Sequence, residues 1–200
     1  MVRYPPSVPR SKREKVKPGY GEGRQALLDA AVRVVAEKGL RGLTYRAVAA
    51  EAGVTQGLVI HHFGSRQALI HEALRTAGIE SIGNSLTAER NPDLDHFVDG
   101  FQAFLEETVA LQAFQYEIAL EGRRDPELAK DVRALYDAYI EATRISLEAI
   151  GIAGSDAFTR MVFAALDGLS FQQLVYGSNA KTDEGLLELR ELLRQRVARS

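Results

Sequence analysis

The sequence predicts an all-α protein with about nine helices. Apolar residues recur at spacings of three and four along most of the chain, and no stretch alternates apolar and polar residues as a half-buried strand does. Capping residues and glycines divide these periodic stretches into helix-sized lengths. With 46% hydrophobic residues among 200, the chain is long and apolar enough to enclose a core.

Charge divides the chain into two unlike parts. Residues 1–66 contain 12 Lys and Arg against 5 Asp and Glu, a net charge of +7. Residues 67–200 contain 13 against 22, a net charge of −9, so the whole chain carries −2. A basic surface attracts a polyanion and an acidic surface is repelled by it. The two parts are therefore expected to face different partners.

Composition and spacing exclude several kinds of chemistry. Without Cys the chain has no disulfide, thiolate nucleophile or Cys-ligated metal. His61, His62 and His71 do not predict a metal site, because adjacent helical residues point about 100° apart and no carboxylate stands at a matching position. No apolar run approaches the roughly 20 residues of a membrane span, and residues 1–10 lack a secretory apolar segment. A cytoplasmic protein without a cofactor is expected.

The stretch LTYRAVAAEAGVTQGLVIHHF at 43–63 predicts two short helices joined by a tight turn. Thr44 is expected to cap the first helix, and Gly53 to end it in a left-handed conformation. Thr55 is expected to cap the second helix. A longer helix is predicted before this pair, at 22–38, and Gly39 ends it. It is expected to support the two short helices.

The second of these short helices has two different faces. At about 100° per residue, Val59 and Phe63 point towards the core, whereas Gln56, Ile60 and His61 point away from it. A helix of two turns is unstable alone, so its neighbours must hold it, and its outer face is free to enter a DNA major groove. This is the geometry of a helix-turn-helix.

Four short motifs follow one another within residues 24–69, about a quarter of the chain. They are EKG at 37–39, LTYRAVAAEAGVT at 43–55, HHF at 61–63 and SRQAL at 65–69. In this order and spacing they resemble the DNA-binding domain of the TetR family of bacterial transcriptional regulators. The resemblance implies a larger C-terminal helical domain that binds a small molecule and dimerises. The predicted divisions are a basic arm at 1–21, a helix-turn-helix domain at 22–66 and a regulatory domain at 67–200.

The resemblance and the side-chain chemistry together predict the DNA contacts. Gln56 can make paired hydrogen bonds to adenine, and Leu58 or Ile60 can lie against a thymine methyl group. The helix start at 44–46 is a favourable phosphate site because its backbone N–H groups are exposed. The predicted set comprises Arg24, Thr44, Tyr45, Arg46, Thr55, Gln56, Gly57, Leu58, Ile60, His61, His62 and Arg66.

Two positions depart from the family pattern. Ile60 stands where such proteins usually carry a Tyr that touches a phosphate, and Ile offers no hydrogen bond. Arg66 stands where Lys is usual, which keeps the charge but changes its geometry. The arm at 1–21 has four Pro and six Lys or Arg. It either reaches along DNA or is a solvated terminus, and both interpretations stay open.

Caps and breaks predict the remaining helices. A fourth helix follows Ser65 and extends to about Asn84, and helical periodicity resumes after the break at Asn91 and Pro92. Further helices are predicted from Asp125 and Pro126 to Gly151, from Ser155 to Gly177, and from Thr182 or Asp183 onwards.

The regulatory part contains seven of the eight Phe and is expected to enclose a ligand pocket, as the family resemblance implies. The predicted ligand-binding residues are Phe101, Tyr116, Tyr139, Phe163 and Asp167. Polar residues that can orient a ligand are Gln112, Gln115, Glu117, Gln172 and Gln173. The alternative is that such aromatic residues simply form core.

The predicted function is a repressor that binds a near-palindromic double-stranded operator and is released by a small-molecule effector. Homodimerisation is expected through the last two helices, as in the family. It also suits the DNA geometry, because two reading helices roughly 34 to 36 Å apart fit successive major grooves. The alternatives are an activator, a regulator of this fold without an inducer, and an all-helical enzyme. The sequence has no Gly-rich phosphate loop and no nucleophile elbow to support the enzyme.

Overall fold

A computed structural model describes residues 20–85, 94–177 and 180–197. Within these ranges the protein is all-α, as predicted, and no residue lies in a strand. None of the described helices is both long and apolar enough to cross a membrane. A short 3-10 turn, Leu40–Gly42, separates the first two helices. The α-helices are α1 Tyr20–Lys38, α2 Tyr45–Ala52, α3 Gln56–Phe63, α4 Arg66–Ser85, α5 Leu94–Glu107, α6 Val109–Gly122, α7 Pro126–Ala149, α8 Asp156–Tyr176 and α9 Ala180–Val197.

Local sequence signals set the helix ends of the N-terminal unit, which comprises α1 to α4. The Thr44 hydroxyl accepts a hydrogen bond from the Ala47 N–H at 3.1 Å, which satisfies one of the unpaired donors at the start of α2. Gly53 ends α2 at φ +70°, in the left-handed conformation that Gly adopts without steric cost. Ser65 caps α4 through the Ala68 N–H at 3.0 Å. These three predictions are confirmed.

One densely packed cluster joins the N-terminal helices. Val59 and Phe63 bury one side of α3 in a cluster that it shares with α1, α2 and α4. The cluster does not stop at the end of the helix-turn-helix, because Phe114 and Ile118 of α6 are fully buried in it. The boundary predicted at 66 therefore crosses a continuous core, and the division into domains stays a prediction.

A second cluster holds the C-terminal helices together. It brings α5, α7, α8 and α9 into contact through buried aliphatic side chains, with Phe158 and Leu169 packed at its margin. Its buried members are Leu105, Leu147, Ile152, Val162, Leu166, Leu186, Leu189 and Leu193. The described residues thus form two apolar clusters, and α7 contributes to both, with Leu128 in the first and Leu147 in the second.

Some predicted boundaries were wrong by a few residues. α1 begins at Tyr20 rather than Glu22, and α9 begins at Ala180 rather than after a cap at Thr182 or Asp183. Inside the first turn of α9, Thr182 is buried and Asp183 accepts a hydrogen bond from Gln102 at 3.0 Å. Thr182 is therefore enclosed by the fold, and Asp183 links α9 to α5.

The other boundary predictions have different outcomes. The break at Asn91 and Pro92 and residues 1–19 of the basic arm lie outside the described residues. The capping role predicted for the Thr55 side chain was wrong, because Thr55 precedes α3 but its side chain makes no capping hydrogen bond. The helix ends predicted at Asp125, Ser155 and Gly177 are confirmed.

Candidate nucleic-acid interface and cavity

The outer face of α3 is exposed along its whole length. Val59 has 0% of its surface accessible and anchors the helix, whereas Gln56, Leu58, Ile60 and His61 are exposed. Gly57 is exposed too, and a Cβ added there would meet no atom within 4 Å. Packing does not require glycine at this position. Its small size lets the backbone lie close to whatever this face contacts.

The start of α2 lies beside the end of α3. The Tyr45 hydroxyl donates a hydrogen bond to the Gly64 carbonyl at 3.3 Å, which ties the two helices together. Arg46 is exposed, and so is Thr55 at the start of α3. An exposed cation beside a helix N-terminus is a favourable place for an anion, because the unpaired N–H groups and the positive charge act together.

Two of the predicted phosphate-binding arginines make contacts with other parts of the protein. Arg66 donates through Nε to the Leu43 carbonyl at 2.8 Å and through Nη2 to the Leu40 carbonyl at 2.5 Å. These bonds fix the turn that precedes α2. Arg24 is paired with Glu72 on α4, and its guanidinium lies 5.0 Å from the centre of the Phe63 ring. Both side chains therefore have a structural role, and their contacts with phosphate stay predictions.

His62 is half-buried, unlike its neighbour His61. Its ring lies edge-on to that of His61, with centroids 5.7 Å apart, and 6.2 Å from the Phe63 ring. The two histidines point in different directions, as helical geometry predicts. His71 is remote from both and lies 2.6 Å from Asp131, so it links α4 to α7.

A cavity of about 90 Å³ lies among α4, α5, α6, α7 and α8. Its wall is aromatic and hydroxyl-rich, with one carboxylate. The lining residues are Ser81, Phe101, Phe104, Gln112, Gln115, Tyr116, Tyr136, Tyr139, Ala142, Thr143, Ser146, Phe163, Leu166, Asp167 and Ser170. All five predicted ligand-binding residues are in this wall. That they bind a ligand stays a prediction.

Aromatic rings and the carboxylate are arranged in contact with one another. The Phe163 ring is stacked on Tyr139 at 6.0 Å between centroids and meets the edge of Tyr136 at 5.7 Å. The Tyr116 hydroxyl lies 2.8 Å from both the side-chain Oδ1 and the main-chain oxygen of Asp167. This contact joins α6 to α8 across the cavity.

Burial changes the acidity of these groups. Desolvation, offset in part by the Tyr116 hydrogen bond, raises the pKa of Asp167. Desolvation and the nearby Asp167 charge raise the pKa of Tyr136 to about 12. Desolvation raises the pKa of Tyr139 to about 12 as well, and that of Tyr116 well above its usual range. The tyrosines are therefore neutral donors at physiological pH.

Two amide groups of the wall keep unused hydrogen-bonding capacity. Gln112 donates through Nε2 to Thr108 at 3.0 Å and to the Leu105 carbonyl at 3.3 Å. Gln115 accepts from the Tyr139 hydroxyl at 2.9 Å. Among the described residues, neither Gln112 Oε1 nor Gln115 Nε2 has a partner, although both atoms are buried. An unpaired buried polar atom costs about 1 to 3 kcal/mol, so these two groups favour a bound partner.

Sequence reasoning missed about half of the wall. Ser81 on α4 and Tyr136 on α7 are 55 positions apart, and no local pattern joins them. Other polar residues proposed as ligand contacts lie elsewhere. Gln172 is exposed, and Gln173 is buried outside the cavity. Glu117 faces the N-terminal unit, where its carboxylate accepts a hydrogen bond from the Leu40 N–H at 3.4 Å.

A stripe of apolar and small residues runs along the outside of α8. Its members follow helical spacing: Met161, Ala164, Gly168, Phe171 and Val175. Met161 is 60% exposed and Val175 56% exposed, and a Cβ added to Gly168 would meet nothing within 4 Å. Leu187 and Leu192 add exposed apolar surface on α9. Apolar surface of this extent is typical of a face that contacts another protein.

Known families match both parts of the chain. The model described as "Bacterial regulatory proteins, tetR family" matches residues 27–73. The model described as "Tetracyclin repressor-like, C-terminal domain" matches residues 86–199, which is more than half of the chain. The first match contains the exposed face of α3, and the second contains most of the cavity wall.

Individual relatives are similar over part or all of the fold. The HTH-type transcriptional repressor KstR2 of Rhodococcus jostii (strain RHA1) is 44% identical over 57 residues, which are 28% of this chain and 28% of that protein. A transcriptional regulator from Rhodococcus sp. Rha1 has the same fold, with a TM-score of 0.72 over 86% of this chain and 96% of that chain at 23% identity. A protein from Saccharomonospora viridis, solved in complex with choline, has a TM-score of 0.70 over 87% of this chain and 96% of that chain at 18% identity.

The helix-turn-helix with its exposed α3, the helical regulatory part and the two family matches agree with one another. The protein is a DNA-binding transcriptional regulator, and the chain belongs to the TetR family of bacterial regulatory proteins.

Proposed function

We propose that the protein is a repressor that binds a near-palindromic operator as a homodimer and leaves it when a small molecule enters the cavity. The observation that carries the proposal is the exposed face of α3, held from behind by buried Val59 and Phe63. On this face Gln56 supplies a side chain able to make paired hydrogen bonds to adenine. The short KstR2 match, to a protein named as a repressor, supports repression.

Phosphate contacts are proposed for the residues around α3. Arg46 and Thr44 at the start of α2, and Thr55 at the start of α3, supply exposed groups beside helix N-termini. Arg24 and Arg66 are proposed to act mainly by holding α4 and the turn before α2, and to face phosphate only through their remaining donors. His61 can donate to a guanine or a phosphate.

A homodimer is proposed through α8 and α9. The stripe containing Met161, Phe171 and Val175 is exposed in one chain and would be covered by its copy. Gly168 and Ala164 in the middle of the stripe allow two helices to approach closely. A dimer also doubles the base pairs that are read, and its two reading helices would bind half-sites about 34 to 36 Å apart.

The dimer proposal can be tested with one charged substitution. Val175→Glu places a carboxylate at the C-terminal end of the exposed stripe, within the proposed interface, and sedimentation equilibrium is expected to change from dimer to monomer. Leu120→Glu is the control, because Leu120 is equally apolar and exposed but lies on α6. A dimer that survives Val175→Glu, or dissociates equally with Leu120→Glu, contradicts this interface.

The structural change caused by ligand binding is proposed to be transmitted to the DNA-binding end through α4 and α6. α4 lines the cavity with Ser81 and holds the turn before α2 with Arg66, about 22 Å away along the same helix. α6 carries Tyr116 in the cavity wall, and the adjacent Glu117 bonds to Leu40. A shift of either helix would therefore change the distance between the two reading helices of a dimer.

The experiment that tests the function is fluorescence anisotropy on the DNA immediately upstream of the protein's own gene. A scrambled duplex of equal length serves as the control, at physiological salt. Selective binding with two subunits per site is expected. Equal binding to both duplexes at every salt concentration, or one subunit per site, would overturn the proposed operator recognition.

An activator and a regulator without an inducer remain alternatives to the repressor. Transcription assays on the bound promoter separate repression from activation, because the effect depends on where the operator lies. That a Saccharomonospora viridis protein of this fold holds choline supports a ligand in the cavity. An enzymatic role would require that a cavity ligand be chemically altered during incubation, and we expect it to be recovered unchanged.

A further inference from the structure

The cavity wall has a marked charge imbalance. Asp167 is its only ionisable carboxylate, and no Lys, Arg or His is among the described lining residues. The Tyr116 hydroxyl is neutral and satisfies only part of the carboxylate's hydrogen-bonding capacity. A carboxylate in such surroundings is stabilised by a positive charge brought in by a ligand, because none is supplied by the wall.

The rings around the carboxylate favour the same kind of ligand. One part of the wall contains three rings that pack together, those of Tyr136, Tyr139 and Phe163. Another part contains Phe101 and Phe104, whose ring centroids are 6.0 Å apart. The faces of aromatic rings carry partial negative charge and attract cations. A neutral apolar ligand would fit the rings but would leave Asp167 without a counter-ion, whereas an anion would be repelled by it.

The unpaired amide oxygen of Gln112 adds a second requirement. The Leu105 carbonyl can only accept, so the Gln112 NH₂ group must face it and Oε1 must be the unpaired atom. Gln112 is 4% exposed as a residue and its Oε1 is buried, so bulk water does not hydrogen-bond to this atom. Oε1 needs a donor such as N–H. A quaternary ammonium ion has no N–H and cannot supply one.

The size of the cavity limits the ligand. Its volume of about 90 Å³ is smaller than the roughly 150 Å³ of a cavity known to hold benzene. The proposed ligand is therefore small, or extends partly outside the cavity. Gln115 Nε2, the second unpaired group, favours a ligand that also carries an acceptor.

We infer that the cavity binds a small protonated primary or secondary amine, with its N–H groups directed to Asp167 and Gln112 and its carbon skeleton against the aromatic rings. This inference rests on the proposed function, since it assigns a ligand class to the effector cavity. It does not depend on which operator is bound or whether transcription rises or falls.

Isothermal titration calorimetry of the full-length protein at pH 7 tests the inference with amines and uncharged or differently charged compounds of similar size. Isobutylamine, cyclopentylamine and benzylamine are compared with the corresponding alcohols, with tetramethylammonium and with isobutyrate. At least one amine is expected to bind tenfold or more tightly than its alcohol, than tetramethylammonium and than isobutyrate. Asp167→Asn should lower that amine's affinity at least tenfold and leave the alcohol unchanged.

The control variant is Asp137→Asn, which removes an exposed carboxylate from α7 outside the cavity and should leave all affinities unchanged. The inference is overturned if no amine binds better than its alcohol, if tetramethylammonium or isobutyrate binds as tightly, or if Asp167→Asn has no effect. If Asp167→Asn does not fold, the comparison of probes on the unaltered protein decides alone.

Operator binding is measured separately by anisotropy, so the two failures can be told apart. Selective operator binding without amine preference leaves the regulator intact and removes the inference. Amine preference without any selective duplex removes the proposed operator recognition and leaves the ligand class standing.

Discussion

The N-terminal unit and the regulatory part differ in how completely each fills its core and pairs its buried polar groups. Around α3 the core is dense, with Val59, Leu43 and Leu69 fully buried, and Arg66 and Tyr45 close the gaps between helices with hydrogen bonds. The regulatory part contains a cavity, two unpaired amide groups and an exposed apolar stripe on α8. The N-terminal unit therefore fills its own core, whereas the regulatory part would gain stability from the ligand and the second chain proposed above.

The largest expected difference between the two regions is in the cost of truncating a phenylalanine. Phe63→Ala empties a site in the dense core and should lower the free energy of unfolding by about 3 to 5 kcal/mol. Phe163→Ala should cost less than half as much, because one side of its ring already borders the cavity. Urea unfolding of both variants followed by circular dichroism gives the comparison.

The same two variants also show whether the difference in stability loss comes from the cavity. Addition of a cavity ligand should stabilise the unaltered protein and the Phe63 variant by similar increments, since the cavity is intact in both. Equal losses for the two truncations in the absence of ligand would mean that the regulatory part is as densely packed as the N-terminal unit, and the contrast would fail.

A second difference concerns base recognition by the exposed face of α3. Gln56→Ala is expected to weaken operator binding by about 1 to 3 kcal/mol while leaving binding to random DNA unchanged, because Gln56 is proposed to contact base edges. Anisotropy titrations on operator and random duplexes measure both quantities. A loss of equal size on random DNA would show that Gln56 contributes to affinity rather than to sequence recognition.

The N-terminal unit could be predicted residue by residue because its determinants are local. The cap at Thr44, the left-handed Gly53 and the alternate faces of α3 depend on neighbours within a few positions, and helical geometry fixes their directions. The roles of Arg24 and Arg66 could not be predicted in this way. Their partners, Glu72 and the Leu40 carbonyl, come from other elements that only the fold brings close.

The cavity could be predicted as a kind of site but not as a complete wall. Asp167 amid apolar neighbours, and aromatic residues at helical spacing, indicated five lining residues, and the nearby polar residues indicated two more, Gln112 and Gln115. Ser81, Tyr136 and Ser146 were not found, since their positions depend on the angles between α4, α7 and α8. The start of α9 was misplaced for a related reason, because packing on α5 rather than capping determines the environment of Asp183.

A smaller effect separates the two threonines that precede α2 and α3. Thr44→Ala should lower the free energy of unfolding by about 1 kcal/mol, because it removes the hydrogen bond to the Ala47 N–H. Thr55→Ala should change it by no more than a few tenths, since Thr55 makes no capping bond. Urea unfolding measures both. If Thr55 contacts phosphate as proposed, its variant should instead weaken operator and random DNA equally, and equal stability losses would contradict the assignment of the caps.

The smallest expected effect is the pH dependence that Asp167 gives to the ligand-free protein. Burial raises its pKa on folding, so between the ordinary Asp value of about 3.9 and the raised value the folded chain holds a proton that the unfolded chain has released. The free energy of unfolding should therefore fall as pH rises through this window. Asp167→Asn should remove that fall. It should also be slightly more stable than the unaltered protein at pH 7, by less than the effect of the Thr44 cap, because Asp167 is only half-buried.

Urea midpoints from pH 4 to pH 8 measure the difference, with Asp137→Asn as the exposed control. If the unaltered protein instead became more stable than Asp167→Asn as pH rises, folding would stabilise the charged carboxylate. The cavity would then already supply Asp167 with positive charge.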